Sequence, residues 1–179
     1  EYIYSKFQKE PPKVVYDICT GTGCIGITIA KLFPTCKVYC VDISETAINH
    51  ATKNKENLCA DNVTILKKDM LDPTSPIGLP FADIIISNPP YIKSDEISTL
   101  QQEVKYEPSL ALDGGEDGLY FYRLIASLAP MHLKPKGKLF LEIGFRQGTK
   151  LKKLLTENFE NIKILKDYEG KQRIVVATK

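Results

Sequence analysis

The four residues Asn88-Pro89-Pro90-Tyr91 have the types and spacing to hold a small planar NH2 group. They follow the apolar run 81–87, which is typical of a buried strand. Pro89 and Pro90 have no backbone N–H, so the turn offers mainly hydrogen-bond acceptors. The Asn88 side chain adds a carbonyl oxygen, and the Tyr91 ring can pack against a planar substrate. An amide or exocyclic amine bound in this way keeps its nitrogen lone pair directed at an electrophile, although the motif alone is also compatible with a simple Asn-Pro turn.

A glycine-rich segment upstream has the pattern of a cofactor loop. Residues 13–18 predict a short buried strand, and a helix follows at 24–33. Glycines between the two let the backbone approach a ligand at the start of the helix. The second strand, residues 37–41, ends at Asp42, where this kind of βαβ unit binds a ribose diol. The cofactor is therefore expected to be a nucleoside derivative. The loop residues are Cys19, Thr20, Gly21, Thr22 and Gly23.

Two cofactor classes fit this segment. Residues 21–26 satisfy the G-x-G-x-x-G pattern of dinucleotide folds, so a nicotinamide-dependent oxidoreductase is an open alternative. Three features count against it: Asp17 precedes the loop, Gly26 can serve helix-to-strand packing, and no partner for hydride transfer follows. S-adenosylmethionine needs the same ribose contact but has no pyrophosphate. The Asn88 turn would then bind the nucleophile, so S-adenosylmethionine is the preferred cofactor.

On these motifs together the sequence resembles the release factor glutamine methyltransferases, the HemK or PrmC family. The resemblance covers nearly the whole chain and includes the loop at 17–23 and the turn at 87–92. The Asn-Pro-Pro-Tyr motif is shared with amino-methyltransferases of nucleic acid bases, whereas the segments at 107–112 and 114–119 are more specific. The family resemblance implies a class I, Rossmann-like α/β fold with a seven-stranded doubly wound sheet and an antiparallel last strand.

The resemblance also implies the reaction and its site. The methyl group of S-adenosylmethionine would pass to the side-chain amide nitrogen of the glutamine in the Gly-Gly-Gln loop of bacterial peptide-chain release factors. The catalytic residues would be Asn88, Pro89, Pro90 and Tyr91, and Glu107 and Arg123 would hold the loop over the glutamine. No metal is expected. Cofactor contacts are expected from Asp17, Cys19, Thr20, Gly21, Thr22, Gly23, Asp42, Ile43, Asp69, Met70 and Asn88.

Two departures from the family pattern stand out. Cys19 occupies the first loop position, where the family commonly has glycine. The family also carries a small helical domain and a Pro-Arg-x-x-Thr-Glu segment before the first strand, and neither occurs in this sequence. Residues 1–179 are therefore expected to be a single catalytic domain.

Composition narrows the functional class. The 179 residues are 43% hydrophobic, enough for one domain with a full core. With 24 basic and 22 acidic residues and no long basic run, a nucleic acid substrate is not favoured, and 150–153 is interpreted as a solvated helix face. No membrane span or signal peptide is visible. The five cysteines predict small buried thiols in a reducing cytoplasm, and the protein is expected to be a monomer.

Hydrophobic periodicity and turn residues predict an alternating α/β layout with a hairpin between the last two strands. Strands are predicted at 14–18, 37–41, 62–66, 82–87, 137–143, 161–166 and 172–178. Helices are predicted at 24–33, 45–58, 95–104, 117–133 and 147–158.

Four alternative functions remain at this point. A related branch of the family methylates a glutamine of a ribosomal protein, and a nucleic acid amino-methyltransferase would share the Asn88 turn. The nicotinamide-dependent oxidoreductase is more distant. The non-enzymatic alternative is a protein that only binds a methionine nucleoside.

Overall fold

The described part of the chain contains the seven predicted strands, most of them separated by helices. The computed structural model describes residues 1–70, 72, 78–102 and 108–179. The strands are β1 (Val14–Ile18), β2 (Lys37–Asp42), β3 (Val63–Lys67), β4 (Ala82–Ser87), β5 (Leu133–Glu142), β6 (Glu160–Lys166) and β7 (Gln172–Thr178). The helices are α1 (Tyr2–Phe7), α2 (Cys24–Leu32), α3 (Glu45–Asn57), α4 (Ser109–Leu112), α5 (Tyr120–His132) and α6 (Gly148–Leu155), with a 3₁₀ turn at Ile97–Thr99.

The strands form one sheet in the order β3-β2-β1-β4-β5-β7-β6. β1 pairs in parallel with β2 and β4, and β2 pairs in parallel with β3. β6 and β7 are antiparallel and form the predicted hairpin. The α/β fold class with an antiparallel strand near one edge is therefore confirmed. Because β1 and β2 are parallel, the loops that follow them emerge at the same edge of the sheet, which is where open α/β sheets bind ligands.

The chain divides into two compact units, each described by itself. The first unit consists of Glu1–Ser87 and His132–Lys138, and the second consists of Asn88–Met131 and Leu139–Lys179. That residues 1–179 form a single catalytic domain therefore stays a prediction. Apolar side chains fill both units. In the first unit Val15, Tyr16, Val38, Cys40, Ile84 and Ile85 are fully buried, and in the second Tyr122, Ile125, Leu139, Leu141, Leu151 and Leu155 are.

Asp83 fastens three segments of the first unit. Its Oδ2 atom accepts hydrogen bonds from the backbone amides of Lys13 and Val14, each at 2.9 Å. Its Oδ1 atom accepts a hydrogen bond from the Lys134 ammonium group at 2.7 Å. These bonds hold the pKa of Asp83 below its usual value even though partial burial opposes them. One carboxylate therefore ties together the starts of β1, β4 and β5.

The helix predicted over 95–104 is wrong where the structure describes it. Residues 95–102 contain only the 3₁₀ turn, and residues 103 and 104 lie outside the described residues. The Ser94 amide bonds to Gly115 O across to another segment, and Leu100 has extended backbone. The Ser94 bond to a distant segment and the extended backbone at Leu100 thus replace the helix that the sequence pattern predicted.

The prediction that the five cysteines are buried thiols is correct for only some of them. All five cysteines are free, and Cys36 and Cys40 are buried. Cys24 and Cys59 are exposed, because Cys24 begins α2 and Cys59 lies in the turn after α3. In the described ranges no three or more His, Cys, Asp or Glu side chains are arranged to hold a metal ion. Over the same ranges, no helix has both the length and the hydropathy of a membrane span.

Candidate functional site

The loop after β1 passes through left-handed backbone conformations as it turns into α2. Cys19, Gly21 and Gly23 have φ values of 56°, 56° and 79°. Glycine adopts positive φ at no steric cost, whereas another residue loses about 1–2 kcal/mol. Cys19, which stands where the resemblance expects glycine, is therefore strained. The Gly23 amide donates to Thr20 O at 2.9 Å, which closes the turn at the start of the helix.

Asp17 is a buried carboxylate that fastens this loop. Its Oδ2 atom accepts hydrogen bonds from the Thr20 hydroxyl at 2.6 Å and from the Gly26 amide at 2.8 Å. Its Oδ1 atom is buried and has no hydrogen-bond partner in the described part of the chain. Burial is the main cause that raises the pKa of Asp17 to about 6. The carboxyl group therefore holds the loop with one oxygen and keeps an acceptor position on the other.

The glycines of the G-x-G-x-x-G pattern have different surroundings. A Cβ atom on Gly26 would lie 2.3 Å from Cys40 Sγ and 2.9 Å from Asp17 Oδ2, so Gly26 packs α2 tightly against the strands. A Cβ atom on Gly21 would meet nothing within 4 Å. The interpretation of the third glycine as helix-to-strand packing is confirmed. Open space lies instead beside Gly21.

Asp42 connects the end of β2 to the same loop. Its Oδ2 atom accepts a hydrogen bond from the Gly21 amide, and its Oδ1 atom accepts one from the Ser44 amide, both at 2.9 Å. Ile43 follows with 53% of its surface exposed. An oriented, half-buried carboxylate beside an exposed aliphatic side chain can bind a ribose diol and cover a flat base.

The remaining predicted cofactor residues differ in accessibility. Thr22 is exposed, and its carbonyl oxygen accepts a hydrogen bond from Asn54 Nδ2 at 2.9 Å. After β3, Asp69 is exposed whereas Met70 is only 4% exposed. The Cys19 thiol has its pKa raised to about 12, chiefly by burial and also by Asp42. Cys19 therefore stays a neutral thiol at physiological pH, and its predicted contact with the cofactor does not involve a thiolate.

These features of the first unit fit a cationic nucleoside. The unpaired Oδ1 of Asp17 is a buried acceptor, the Asp42 carboxylate is held in one orientation, and Gly21 leaves space for a ligand at the backbone. The Asp17 acceptor suits a positively charged ligand, and the Asp42 carboxylate suits the hydroxyl groups of a ribose. These residues could therefore hold a nucleoside cofactor.

The Asn88 turn begins the second unit. Asn88 is exposed, and its side chain makes no hydrogen bond within the described residues. Pro89 and Pro90 are buried, and Tyr91 is half-buried. A Cβ atom on Gly144 would lie 3.5 Å from Tyr91 Cδ2, so the Tyr91 ring packs against the chain at the end of β5. The turn thus presents a free carboxamide from two buried, rigid prolines.

The segment after the turn is paired with the loop before α5. The Ile92 amide donates to Leu112 O at 3.0 Å, and the Gly114 amide donates to Ile92 O at 2.7 Å. A Cβ atom on Gly114 would lie 2.7 Å from Tyr91 Cα, so only glycine allows this approach. The glycine-rich motif at 114–119 therefore supports the backbone that carries the Asn88 turn.

The two residues predicted to hold a loop over the substrate have different outcomes. Arg123 is exposed and forms an ion pair with Asp117, which lies in the loop that precedes α5. The predicted role of Arg123 in holding a loop over the glutamine stays a prediction. Glu107 lies outside the described residues.

Three residues around Tyr91 were not predicted as site residues. They are Gly114, Gly118 and Gln147, which come from separate parts of the second unit. Their only sequence signal was their place in the segments that carry the family resemblance. The structure thus gathers the predicted cofactor residues at 17–23 and 42–43 in the first unit, and the predicted catalytic residues at 88–91 in the second.

Comparison with known proteins identifies the family and the relatives of the chain. Residues 1–116 match the family model described as "Methyltransferase small domain". The chain is 44% identical over 170 residues to the release factor glutamine methyltransferase of Clostridium acetobutylicum, covering 93% of this chain and 59% of that relative. It is also 44% identical over 128 residues to the ribosomal protein uL3 glutamine methyltransferase of Xanthomonas campestris pv. campestris, covering 72% of this chain and 41% of that relative. The chain therefore spans less than two thirds of these relatives.

Solved structures support the fold. TrmN from Thermus thermophilus aligns with a TM-score of 0.70 at 21% identity, over 99% of this chain and 47% of its own. Magnesium protoporphyrin IX methyltransferase from Synechocystis, solved with bound S-adenosylmethionine, aligns with a TM-score of 0.61 at 17% identity, over 99% of this chain and 74% of its own. The predicted methyltransferase fold and the resemblance to release factor glutamine methyltransferases are confirmed. On the match over 1–116, together with the sheet that carries it, the chain belongs to the methyltransferase small domain family.

Proposed function

We propose that this protein transfers a methyl group from S-adenosylmethionine to the side-chain amide nitrogen of a glutamine in a peptide-chain release factor. The observation that carries the proposal is the Asn88 turn, which offers a free carboxamide oxygen and buried prolines without N–H groups. The relatives named as release factor glutamine methyltransferases support the choice of acceptor.

The cofactor part of the proposal rests on three carboxylates and a loop. Asp42 would bind the ribose hydroxyls, Ile43 would cover the adenine, and the loop at 19–23 would follow the methionine portion. Asp69 and Met70 would line the adenine end, Asp69 through its exposed carboxylate. Asp17 would stabilise the positively charged ligand through its unpaired Oδ1 atom. When bound, S-adenosylmethionine supplies a methyl group on a positively charged sulfur.

Ser87 links the cofactor loop to the turn along the chain. Ile18 and Ser87 are register partners at the ends of β1 and β4, and the Ser87 hydroxyl donates to Ile18 O at 2.7 Å. The chain continues from Ile18 into Cys19 and from Ser87 into Asn88. The strand ends that precede the two proposed functional segments are therefore adjacent and hydrogen-bonded within the first unit.

The Asn88 turn would orient the acceptor nitrogen. An amide nitrogen is a weak nucleophile because its lone pair is delocalised into the carbonyl group. Hydrogen bonds from its NH2 to Asn88 Oδ1 and Pro89 O would fix its position and stabilise the positive charge that develops on it. Orientation of this kind supplies several kcal/mol of barrier reduction. The nitrogen would form a bond to the methyl carbon as the carbon–sulfur bond breaks, and it would release a proton to water.

Pro90 and Tyr91 would shape the glutamine slot. Pro90 is buried and fixes the backbone between the acceptor oxygens and the ring, and the Tyr91 ring packs beside Gly144. A flat aromatic wall next to acceptor oxygens suits a planar carboxamide. The ring is expected to matter more than the hydroxyl.

A protein substrate is preferred over nucleic acid because the chain has a formal net charge of only +2. Within protein substrates, the release factor is preferred over a ribosomal protein because the release factor methyltransferase of Clostridium acetobutylicum matches 93% of this chain and the uL3 enzyme 72%. The proposal includes the Gly-Gly-Gln loop as the methylated segment. It also includes a monomeric single domain over 1–179 and a cytoplasmic location, where translation takes place.

Isotope transfer tests the proposal directly. The protein is incubated with methyl-labelled S-adenosylmethionine and, separately, with a release factor, ribosomal protein uL3, tRNA and duplex DNA. Label is expected on the release factor alone, at the glutamine of Gly-Gly-Gln. Replacement of that glutamine by asparagine should abolish the labelling. Label on uL3 would favour the ribosomal alternative, and label on nucleic acid would refute a protein substrate.

A further inference from the structure

Both the oxygen and the nitrogen of the Gln147 carboxamide form hydrogen bonds within the second unit. Its Oε1 atom accepts a hydrogen bond from the Gly144 amide at 2.9 Å. Its Nε2 atom donates to Tyr91 O at 3.0 Å and to Gly118 O at 3.1 Å. One side chain thus joins the end of β5, the Asn88 turn and the loop before α5.

The backbone of Gln147 is itself held firmly. Its amide donates to Gly144 O at 2.9 Å, and its carbonyl oxygen accepts from the Leu151 amide at 3.0 Å as the first bond of α6. Leu151 and Leu155 of that helix are fully buried. Gln147 therefore reaches Tyr91 from a fixed helix start rather than from a mobile loop.

Close packing around Tyr91 explains why a small group is needed there. A Cβ atom on Gly118 would lie 2.6 Å from Tyr91 O and 2.9 Å from Gln147 Nε2. A Cβ atom on Gly114 would lie 2.7 Å from Tyr91 Cα. Gly114, Gly118 and Gln147 surround the Tyr91 backbone, and we call these three residues the clasp. The side-chain hydrogen bonds of the clasp come from Gln147.

We propose that Gln147 is a positioning residue for the methyl-transfer reaction, because it fixes the backbone of the Asn88 turn through Tyr91 O. This inference rests on the proposed function. The Gln147 carboxamide holds Pro90 and Tyr91 in the geometry in which Asn88 Oδ1 and Pro89 O receive the acceptor NH2. It touches neither substrate nor cofactor in this role.

The Gln147→Met variant removes all three side-chain hydrogen bonds and keeps the length of the side chain. We expect kcat to fall about tenfold or more, since one lost hydrogen bond of ordinary strength corresponds to roughly that factor. The dissociation constant for S-adenosylmethionine should stay within about threefold of wild type. Arg146→Ala is the matched control, because Arg146 is the adjacent exposed residue and its guanidinium lies over the Phe145 ring.

The Gln147→Glu variant adds a readout that a merely structural role would not produce. An ionised carboxylate cannot donate to Tyr91 O or Gly118 O, whereas the protonated acid has one O–H donor. Activity relative to wild type should therefore recover as the pH is lowered through the pKa of the introduced acid. A constant ratio across the pH range would count against the positioning role.

Hydrogen–deuterium exchange measures the clasp without any substrate, so its result is separate from that of the proposed function. In Gln147→Met, amides at 92–94 should exchange about tenfold faster, while amides at 14–18 keep their wild-type rates. Unchanged exchange at 92–94, or an equal increase at 14–18, would overturn the positioning role. If the wild-type protein labels no protein substrate, the proposed function fails, and the exchange data still decide whether Gln147 fixes the turn.

Discussion

The loop after β1 and the turn after β4 are fixed by different kinds of chemical group. Two carboxylates hold the loop: Asp17 binds Thr20 and Gly26, and Asp42 binds Gly21 and Ser44. Neutral groups hold the turn, namely prolines, glycines and the Gln147 carboxamide. Under the proposed function this difference is useful, because negative charge stabilises a cation, whereas a neutral amide needs acceptors that do not titrate.

The largest expected effect separates the two regions by function. Asn88→Ala should lower methyl transfer at least about a hundredfold and leave S-adenosylmethionine affinity within about threefold, because it removes orientation of the acceptor only. Steady-state kinetics and calorimetric titration measure the two quantities. Equal losses in both would mean that Asn88 mainly holds the cofactor. Tyr91→Phe is the milder companion variant, since it keeps the ring.

Asp42→Ala tests the loop after β1. Losing a charged acceptor for the ribose should weaken S-adenosylmethionine binding by roughly 1 to 3 kcal/mol. The Gly21 and Ser44 amides also lose their acceptor, so the loop loosens, while the buried strands keep the fold. Calorimetric titration gives the affinity and circular dichroism checks the fold. An unchanged affinity would exclude Asp42 from the site.

The pH dependence of stability should trace to the carboxylate-held loop. The pKa of folded Asp17 is raised from 3.8 to about 6, so the folded protein binds this proton more tightly than the unfolded chain. Its stabilising contribution is full below about pH 4 and is lost as the pH rises through about 6, a change on the order of 3 kcal/mol. Asp17→Asn should remove that slope when denaturant midpoints are compared between pH 4 and 7. Identical slopes in the two proteins would contradict the buried, titrating carboxyl group.

The smallest effect concerns backbone strain in the same loop. Cys19→Gly should relieve the positive φ at this position, a gain of about 1–2 kcal/mol, but it adds unfolded-state freedom that costs about 0.5–1 kcal/mol. A net stabilisation below about 1 kcal/mol is expected in chemical denaturation. Cys24→Ala, an exposed cysteine at the start of α2, serves as the control. A clear destabilisation by Cys19→Gly would show that thiol packing outweighs strain.

Local patterns in the sequence predicted most of the strands, and the loop after β1 and the turn after β4 follow them at the predicted positions. β1 and β4 have the predicted bounds, because each largely apolar run is followed by turn residues, the glycine-rich loop after β1 and the Asn-Pro turn after β4. β5 begins at Leu133 rather than at 137, since Pro135 and Gly137 concealed its start. Helix α5 begins at Tyr120, three residues later than predicted, because Gly118 ends the preceding loop with positive φ.

Contacts between distant residues were beyond reach of such patterns. Gln147 meets Tyr91, 56 positions away, and Gly118, 29 positions away. Nothing in the residues around Gln147 signals those contacts, because they arise only when the sheet brings β5 and its neighbours together. The carboxylates at 17 and 42 were predictable because each lies within the last two residues of its own strand.

The Asp83 fastening has a consequence for the order in which the protein folds. Asp83 must bind Lys134, which is 51 residues further along the chain, and the first unit takes in residues 132–138. At ribosomal rates of about 5–20 residues per second, that closing segment follows several seconds behind β4. During this interval the strands that carry the cofactor loop lack the start of β5. The first unit is therefore completed only after residues 88–131, about half of the second unit, have been synthesised.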